Sequence, residues 1–249
     1  MRLLSWNLFG LSDEHLDLRT EAALFTALMG GPLEQILASG QPAPPPPDVL
    51  MFQEVVDRTW HAHLRPHLSA AGYEIVPASP RPREYFEVLA VRPPFKVLSH
   101  DITPLDSFQA RELTSVTASG YGHTWLFMTA HLESLKSGAA SRHIQATQVL
   151  KRLRGHDGPA IFAGDTNLRM READVLAPLP DAWEATGAKK AERFTWSKPK
   201  ASIQARYDRI WGHNLRFSDF RCLGRQPVTP DKQPPSDHLG VSVTAVPNS

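Results

Sequence analysis

The stretch PAIFAGDTN (residues 159–167) decides how this chain folds. Its short apolar run, bounded by Pro159 and Asp165, predicts a buried β-strand over Ala160–Asp165. A strand that is apolar throughout needs cover on both faces, so it belongs in a protein built of packed layers. Because the strand stops at a carboxylate, we expect Asp165 and Asn167 to lie at the edge of a sheet.

Six other short apolar runs predict strands of the same kind. They are Arg2–Asn7, Val49–Glu54, Val88–Val91, Trp125–His131, Tyr207–Trp211 and Val241–Ala245. Helical periodicity is found between some of the strands. The predicted helices are Leu18–Leu37, His61–Leu68 and Ser137–Leu153. Strands interspersed with helices predict a mixed α/β or α+β layered domain, with the helices packed outside the sheets.

The composition is that of an ordinary globular protein. Of 249 residues, 41% are apolar and 21% are charged, which excludes intrinsic disorder, collagen-like repeats and a coiled coil. No apolar run approaches the ~18 residues that a membrane-spanning helix needs. The single cysteine, Cys222, excludes an internal disulfide and a zinc–cysteine cluster. We expect one domain over residues 1–249, without a secretory signal, in the cytoplasm.

The net charge of +1 conceals an uneven distribution along the chain. Residues 1–135 carry 9 Lys or Arg against 15 Asp or Glu, a net charge of −6. Residues 136–216 carry 15 against 8, a net charge of +7. Such a split suggests that an anionic partner contacts the second half of the chain.

Polar side chains follow or end most of the predicted strands. The set contains four carboxylates, two amides and two histidines, and no thiolate. Oxygen-rich sites of this kind bind Mg²⁺ or Mn²⁺ rather than Zn²⁺ or copper. Together these strand ends predict one polar cleft on an apolar scaffold. The residues are Asn7, Glu54, His131, Asp165, Asn167, Asp208, Asp237 and His238.

Hydrolysis of a phosphate ester is the chemistry that such a set favours. A metal held by a few carboxylates neutralises charge that develops on a phosphoryl oxygen, and a further carboxylate orients the attacking water. Amide and imidazolium groups donate hydrogen bonds to the transition state, and an Asp paired with a His keeps the imidazole protonated. The sequence contains no P-loop, no G-x-S-x-G elbow and no H-E-x-x-H.

The ordered motifs WN, QE, HLES, GDTN, YDRI and SDH resemble those of the endonuclease/exonuclease/phosphatase superfamily. They run from residue 6 to residue 238, nearly the whole chain. The resemblance implies an α+β fold with four α/β/β/α layers, a two-sheet β-sandwich flanked by helices. HLES (131–134), GDTNLR (164–169) and RFTWS (193–197) with ARYDRI (205–210) look like the tyrosyl-DNA phosphodiesterase 2 branch. Members of that branch remove a tyrosine from the five-prime phosphate of DNA.

The resemblance also implies a role for each residue that matches a motif. Glu54 matches the principal Mg²⁺ ligand, for which Mn²⁺ is expected to substitute, and Asn7 and Asp237 lie at the metal. Asp165 positions the water, while Asn167, His131 and Asn7 stabilise the phosphate. His238 contacts the scissile phosphate and Asp208 holds its far nitrogen. Ser134, Arg169 and Trp196 would line the DNA groove, and Arg111 is a further candidate for a phosphate contact.

One position departs from the pattern of the branch. The usual W-N-x-D-G is here Trp6-Asn7-Leu8-Phe9-Gly10, so Phe9 replaces an Asp near the metal. An apolar ring cannot bind Mg²⁺, directly or through water. We therefore expect weaker metal binding than in relatives that carry the Asp.

Three other functions remain open at this point. The motifs are shared in part with exonuclease III-like abasic endonucleases and with phosphatases of small or lipid substrates. A module with the same fold and a dead site would bind nucleic acid or protein without turnover. The intact set of catalytic candidates argues against the last, and the +7 segment favours DNA with blocked five-prime ends as the partner of a monomer.

Overall fold

The apolar runs form two β-sheets that face each other across a shared core. In this computed structural model, residues 1–248 are described except for 32, 41–43, 170 and 199–201, and of residues 33–35 only the backbone is described. The first sheet has the strand order β12-β13-β1-β2-β4-β3 and the second has the order β11-β8-β7-β6-β5. A short hairpin of β9 and β10 completes the described strands.

The strand bounds are as follows. The first sheet contains β1 (Arg2–Asn7), β2 (Val49–Val55), β3 (Glu74–Val76), β4 (Phe86–Val91), β12 (Leu215–Leu223) and β13 (Gly240–Pro247). The second contains β5 (Lys96–Pro104), β6 (Glu112–Gly120), β7 (His123–His131), β8 (Ala160–Asp165) and β11 (Asp208–His213). The hairpin consists of β9 (Trp196–Ser197) and β10 (Gln204–Ala205).

Side chains from both sheets meet in the central core. Because successive residues of a strand point to opposite faces, alternate residues of each strand enter this layer. Leu3 and Met51 of the first sheet and Phe127 and Ile161 of the second are fully buried in the same cluster. The apolar faces of the two sheets therefore cover each other, as in a β-sandwich.

The helices cover the outer faces of the sandwich. The helices are α1 (Leu16–Met29), α2 (Leu33–Ser39), α3 (Asp57–Thr59), α4 (Arg65–Ala70), α5 (Ala139–Arg154) and α6 (Ala182–Ala185). A π-helical turn, Trp60–Leu64, joins α3 to α4. Leu24 of α1 and Trp60 pack in a cluster with Phe52 of the first sheet, while Val149 of α5 packs with Phe162 of the second. These four layers confirm the predicted fold class.

Two parts of the predicted secondary structure were wrong. The helix predicted over Leu18–Leu37 is two helices, because Gly30 in the left-handed conformation (φ 74°) ends α1. Pro32, inside that predicted helix, lies outside the described residues. The exposed edge strand β5, its mostly buried neighbour β6 and the half-exposed strand β12 were missed, because none of them is a continuous apolar run.

None of the helices among the described residues combines the length and the apolar character that crossing a lipid bilayer requires. The expectation of a single domain over residues 1–249 stays a prediction.

Glu87 of β4 is a buried carboxyl group, and we expect it to make stability depend on pH. Its side chain is 2% exposed, and no described residue provides a hydrogen-bond partner for Oε1. Burial raises the pKa of Glu87 to about 7, although Arg83 and Arg111 oppose this shift. Between the ordinary pKa of 4.5 and about 7 the unfolded chain ionises this group while the folded protein keeps it protonated. Stability therefore falls as the pH rises through this range.

Glu87→Gln should remove this loss, which amounts to up to about 3 kcal/mol. Urea unfolding of both proteins at about pH 5 and about pH 8 measures the difference. Glu74→Gln, at an exposed position of β3, is the control and should leave the free energy of unfolding unchanged at both pH values. The same pH dependence in the wild type and Glu87→Gln would contradict the assignment.

Candidate active site

Strand pairing in the second sheet brings three predicted site residues side by side. Strand β7 runs parallel to β8, and the register places His131 opposite Asp165. Strand β11 runs antiparallel to β8 on its other side and places Asp208 opposite Asp165. All three side chains therefore lie at one end of the sheet, where the sequence predicts a polar cleft.

The first sheet contributes Asn7 and Glu54 to the same end of the sandwich. Strands β1 and β2 are parallel, with Asn7 opposite Gln53. A bulge in β2 falls between Phe52 and Val55, and Glu54 inside it has a φ of 54°. Bulges redirect a side chain out of the regular alternation, so Glu54 leaves the sheet face that its position would otherwise give it. A non-glycine residue in this left-handed conformation is strained and is typical of functional sites.

Asn7 links the two sheets at the centre of the site. Its Nδ2 donates to Glu54 Oε1 at 3.0 Å and to Asp165 Oδ2 at 2.9 Å. Its Oδ1 accepts the backbone N–H of Phe9 at 2.9 Å. Asn7 thus holds two carboxylates, one from each sheet, at a fixed separation. Its predicted roles at the metal and at the phosphate stay predictions.

His131 is buried between the same two carboxylates and is neutral at neutral pH. Its Nε2 lies 3.3 Å from Asp165 Oδ2, and its Nδ1 lies 3.7 Å from Glu54 Oε1. Burial lowers the pKa of His131 to about 3, although Asp165 opposes this shift. Any hydrogen bond from His131 to a phosphate oxygen therefore comes from a neutral imidazole.

His238 has the opposite protonation state. Its Nδ1 lies 2.8 Å from Asp208 Oδ2, and its Nε2 lies 3.6 Å from Asp165 Oδ2. Burial disfavours the imidazolium, but attraction to Asp208 and Asp165 outweighs burial and raises the pKa of His238 to about 10. The backbone of His238 is fixed by Ser236, whose Oγ accepts its N–H at 3.0 Å and donates to the Asn7 carbonyl at 2.7 Å.

Asp165 is ionised at the centre of the cluster. Burial opposes its ionisation, but the charged His238 and the hydrogen bond from Asn7 hold the pKa of Asp165 below the ordinary value. The backbone N–H of Asn167 also donates to Asp165 Oδ1 at 3.1 Å, and Asn167 itself is left-handed with a φ of 50°. A buried carboxylate that stays charged is suited to orienting a water and accepting its proton.

The carboxylates of the cluster fit a hard divalent cation. Glu54, His131 and Asp165 each offer one atom that could ligate a metal, and these three atoms all lie within 4.8 Å of one another. Burial raises the pKa of Glu54 and of Asp237, and Asp165 raises both further. Asp237 Oδ1 is buried without a hydrogen-bond partner among the described residues. Buried oxygens that repel each other and lack donors are stabilised by a cation, which favours ionisation of all of them.

Trp196 lies at the edge of the cluster, on the hairpin of β9 and β10. Its indole Nε1 donates to Asp237 Oδ2 at 2.9 Å, and its half-buried ring is tilted against Tyr207 at 5.4 Å. The preceding Thr195 accepts the backbone N–H of Asp208 at 3.0 Å, which ties the hairpin to β11. Trp196 is therefore next to the site rather than in a separate core.

The other residues predicted to bind substrate, Ser134, Arg111 and Arg169, differ from one another in their exposure and contacts. Ser134 Oγ lies 3.4 Å from Asn167 Nδ2 and accepts Arg111 Nη2 at 2.7 Å. Arg111 is only 2% exposed, so it lies behind Ser134. The side chain of Arg169 is exposed, and its backbone N–H donates to Glu172 Oε2 at 3.1 Å. Their contacts with DNA stay predictions.

Two residues of the site were missed by the sequence reasoning. The ring of Tyr85 lies 5.9 Å from that of His131, and Arg111 donates to its hydroxyl and lies over its face. Arg19 is 1% exposed and donates to five backbone carbonyls around the loop that contains Phe9, while its guanidinium lies 5.1 Å from the Phe9 ring. Neither residue ends a predicted strand, so a polar group at a strand end could not indicate them.

Comparison with known proteins agrees with this geometry. Residues 4–238 match the Endonuclease/Exonuclease/phosphatase family. Tyrosyl-DNA phosphodiesterase 2 of Bos taurus is 32% identical over 219 residues, which covers 80% of this chain. The chain spans 58% of the length of that relative.

Two solved structures share the fold. TDP2 from Caenorhabditis elegans has a TM-score of 0.81 at 27% identity, covering 98% of this chain and 74% of that one. D. rerio TDP2 complexed with single strand DNA product has a TM-score of 0.80 at 24% identity, covering 99% of this chain and 98% of that one. The predicted resemblance is confirmed: the chain belongs to the endonuclease/exonuclease/phosphatase family and, within it, is similar to tyrosyl-DNA phosphodiesterase 2.

Proposed function

We propose that this protein is a Mg²⁺-dependent phosphodiesterase that hydrolyses the bond between a tyrosine and the five-prime phosphate of DNA, and so acts in DNA repair. The observation that carries the proposal is the buried Asp165, on whose Oδ2 Asn7, His131 and His238 converge at 2.9, 3.3 and 3.6 Å. The similarity to tyrosyl-DNA phosphodiesterase 2 supports the choice of substrate. Mn²⁺ should substitute for Mg²⁺, since both prefer oxygen ligands.

Each side chain of the cluster has a definite part in the reaction. Asp165 orients a water toward phosphorus and accepts its proton. His238, kept charged by Asp208, donates to a non-bridging phosphoryl oxygen, and the amide of Asn167 donates to another. Glu54 and Asp237 would hold the divalent cation, which would neutralise charge that develops on the phosphoryl group. The departing tyrosyl oxygen needs little protonation, because a phenol has a pKa of about 10.

A direct comparison of two oligonucleotides tests the proposal. One carries a five-prime phosphotyrosine and the other is a duplex with an abasic site, and each is incubated with Mg²⁺ and with a chelator. We expect release of tyrosine in Mg²⁺ alone and no nicking at the abasic site. Nicking without release of tyrosine would overturn the proposal in favour of an abasic endonuclease. No reaction with either would leave small phosphate esters as the substrates to assay.

Phe9 gives a separate prediction about the metal. Its backbone N–H is bonded to Asn7 Oδ1, so the side chain starts close to the cluster. Phe9→Asp adds a carboxylate there and should lower the Mg²⁺ concentration for half-maximal rate by about threefold to tenfold. Phe9→Leu, which stays apolar, is the matched control. An unchanged Mg²⁺ titration of Phe9→Asp would contradict the idea that Phe9 weakens metal binding.

We propose further that the protein acts as a monomer in the cytoplasm on DNA with blocked five-prime ends. A single free cysteine, Cys222, is compatible with a reducing compartment. Sedimentation of the purified protein with and without DNA tests the oligomeric state, and fractionation of the source cells tests the location.

A further inference from the structure

Arg19, near the start of α1, is a buried cation whose hydrogen bonds to described residues all go to the main chain. It is 1% exposed. Its Nε and both Nη atoms donate five hydrogen bonds, and every acceptor is a backbone carbonyl oxygen. A buried arginine is usually paired with a carboxylate, because an isolated charge is costly to bury. Arg19 instead uses its donors to fix the course of the backbone around it.

Four of the five carbonyls belong to the loop between β1 and α1. Arg19 Nη2 donates to the carbonyl of Phe9 at 3.3 Å and to that of Ser12 at 2.7 Å. Its Nε donates to the carbonyl of Glu14 at 2.8 Å, and its Nη1 lies 3.5 Å from that of Leu8. Four hydrogen bonds from one planar group hold this loop in a single shape.

The loop that Arg19 holds packs against the backbone of Glu54, the first of the two carboxylates proposed to hold the cation. A Cβ on Gly10 would lie 2.0 Å from the Glu54 carbonyl oxygen, so no side chain fits between the loop and β2. Glu54 lies in the bulge of β2 with a φ of 54°. Such a strained conformation persists only where the surrounding structure enforces it, and this loop is in direct contact with it.

The fifth carbonyl lies on a different segment, the loop that leads into β13. Arg19 Nη1 donates to the Pro235 carbonyl at 3.3 Å. Pro235 is two residues before Asp237, the second carboxylate proposed to hold the cation. Strand β1 lies between β2 and β13 in the first sheet, so Glu54 and Asp237 approach the site from the two sides of β1. Arg19 therefore links the loop that supports Glu54 to the loop that carries Asp237.

The charge of Arg19 and its position have opposite consequences for a metal ion. Burial lowers the pKa of Arg19, and the negative charges of Asp237, Glu14 and Glu54 oppose this shift, so the guanidinium is close enough to the site to act on it. A fixed positive charge repels a divalent cation and would weaken its binding. Ligands that are already held in place lose less entropy when the ion binds, which strengthens binding. Removal of Arg19 therefore distinguishes the two effects by the sign of the change in metal affinity.

We propose that Arg19 is a positioning residue for the metal, which holds the loops around Glu54 and Asp237 so that the two carboxylates are spaced to bind a divalent cation. This inference deepens the proposed function, because it concerns the Mg²⁺ ion proposed for that site. Arg19 donates to neither carboxylate and acts through the backbone of the two loops. Loss of a group that orients a metal ligand typically costs about 10- to 100-fold in metal affinity.

Binding of Mn²⁺ alone to the purified protein, followed by the electron paramagnetic resonance signal of the free ion, tests the proposal without turnover. Arg19→Met removes the donors and the charge and should weaken Mn²⁺ binding about 10- to 100-fold. Arg19→Lys keeps the charge, but one ammonium group cannot reach both loops, so binding should be weakened at least about tenfold.

Arg206→Met is the matched control for loss of a buried arginine. The side chain of Arg206 is 10% exposed and pairs with Asp181 outside the cluster. This variant should bind Mn²⁺ with the wild-type affinity. Thermal unfolding of each variant sets the temperature of the titrations, so that only folded protein is compared.

Several results would overturn the inference. Tighter or unchanged Mn²⁺ binding by Arg19→Met would mean that the guanidinium acts through its charge or not at all. Wild-type affinity in Arg19→Lys would mean that a positive charge suffices without the planar group. An equal loss of affinity in Arg206→Met, or failure of both Arg19 variants to fold, would mean that Arg19 supports the fold as a whole rather than the metal.

The wild type separates this inference from the proposed function. If it binds no Mn²⁺, both the proposed metal site and this inference are wrong. If it binds Mn²⁺ but releases no tyrosine from a five-prime phosphotyrosyl oligonucleotide, the proposed substrate is wrong, and the Mn²⁺ affinities of the variants still decide the role of Arg19.

Discussion

Asp165→Asn should reduce turnover of a five-prime phosphotyrosyl oligonucleotide about a thousandfold and leave its binding nearly unchanged. The substitution keeps the size of the side chain but removes the charge and the basicity that orienting and deprotonating a water require. Asp165 Oδ2 is the atom on which Asn7, His131 and His238 all converge, at 2.9, 3.3 and 3.6 Å.

Single-turnover rates and DNA affinity, measured on the same preparation, separate chemistry from binding. Asp181→Asn is the control for loss of a buried carboxylate, because Asp181 pairs with Arg206 outside the cluster. It should lower stability and leave the rate per folded molecule unchanged. Glu54→Ala should also abolish turnover, through loss of the metal. Wild-type rates in both Asp165→Asn and Glu54→Ala would show that the catalytic assignment is wrong.

His238→Asn should cost about a thousandfold in kcat, because it removes the charged donor to the phosphoryl group. Asp208→Asn keeps that donor but removes its strongest attraction, so we expect a smaller loss, about a hundredfold near neutral pH. Asp208 raises the pKa of His238, so its removal lowers that pKa. The imidazolium is present only below its pKa, and the alkaline limb of the pH–rate profile should therefore move to lower pH.

The pH dependence of kcat/KM for the wild type and Asp208→Asn measures this shift. His143→Asn, which changes an exposed imidazole on α5, should leave the profile where it is. An alkaline limb at the same pH in Asp208→Asn and wild type would mean that His238 does not act as a charged donor.

The positions of the catalytic side chains along the chain were predictable from sequence. Short apolar runs such as IFAG and LLSW are typical of buried strands, and water-preferring groups at their ends must reach the end of the sheet. This reasoning placed Asp165 and Asn7 at strand ends, where the structure has them. Helix breaks and half-exposed strands were harder to predict from the sequence. Strand β5, for example, has no apolar face whose alternation would reveal it.

The sequence by itself determined which chemical groups this protein brings to its cleft, because residue type and strand end are both local properties. The tertiary structure alone decided the protonation states of these groups and the side chains that they contact. The bulge that turns Glu54, the contact of Arg111 with Tyr85 and the opposite charges of His131 and His238 all depend on residues distant in sequence. Both histidines are buried in the same cluster and both face Asp165, but only His238 also faces a second aspartate, Asp208, at 2.8 Å. Protonation follows from such neighbours, and no local pattern in the chain encodes them.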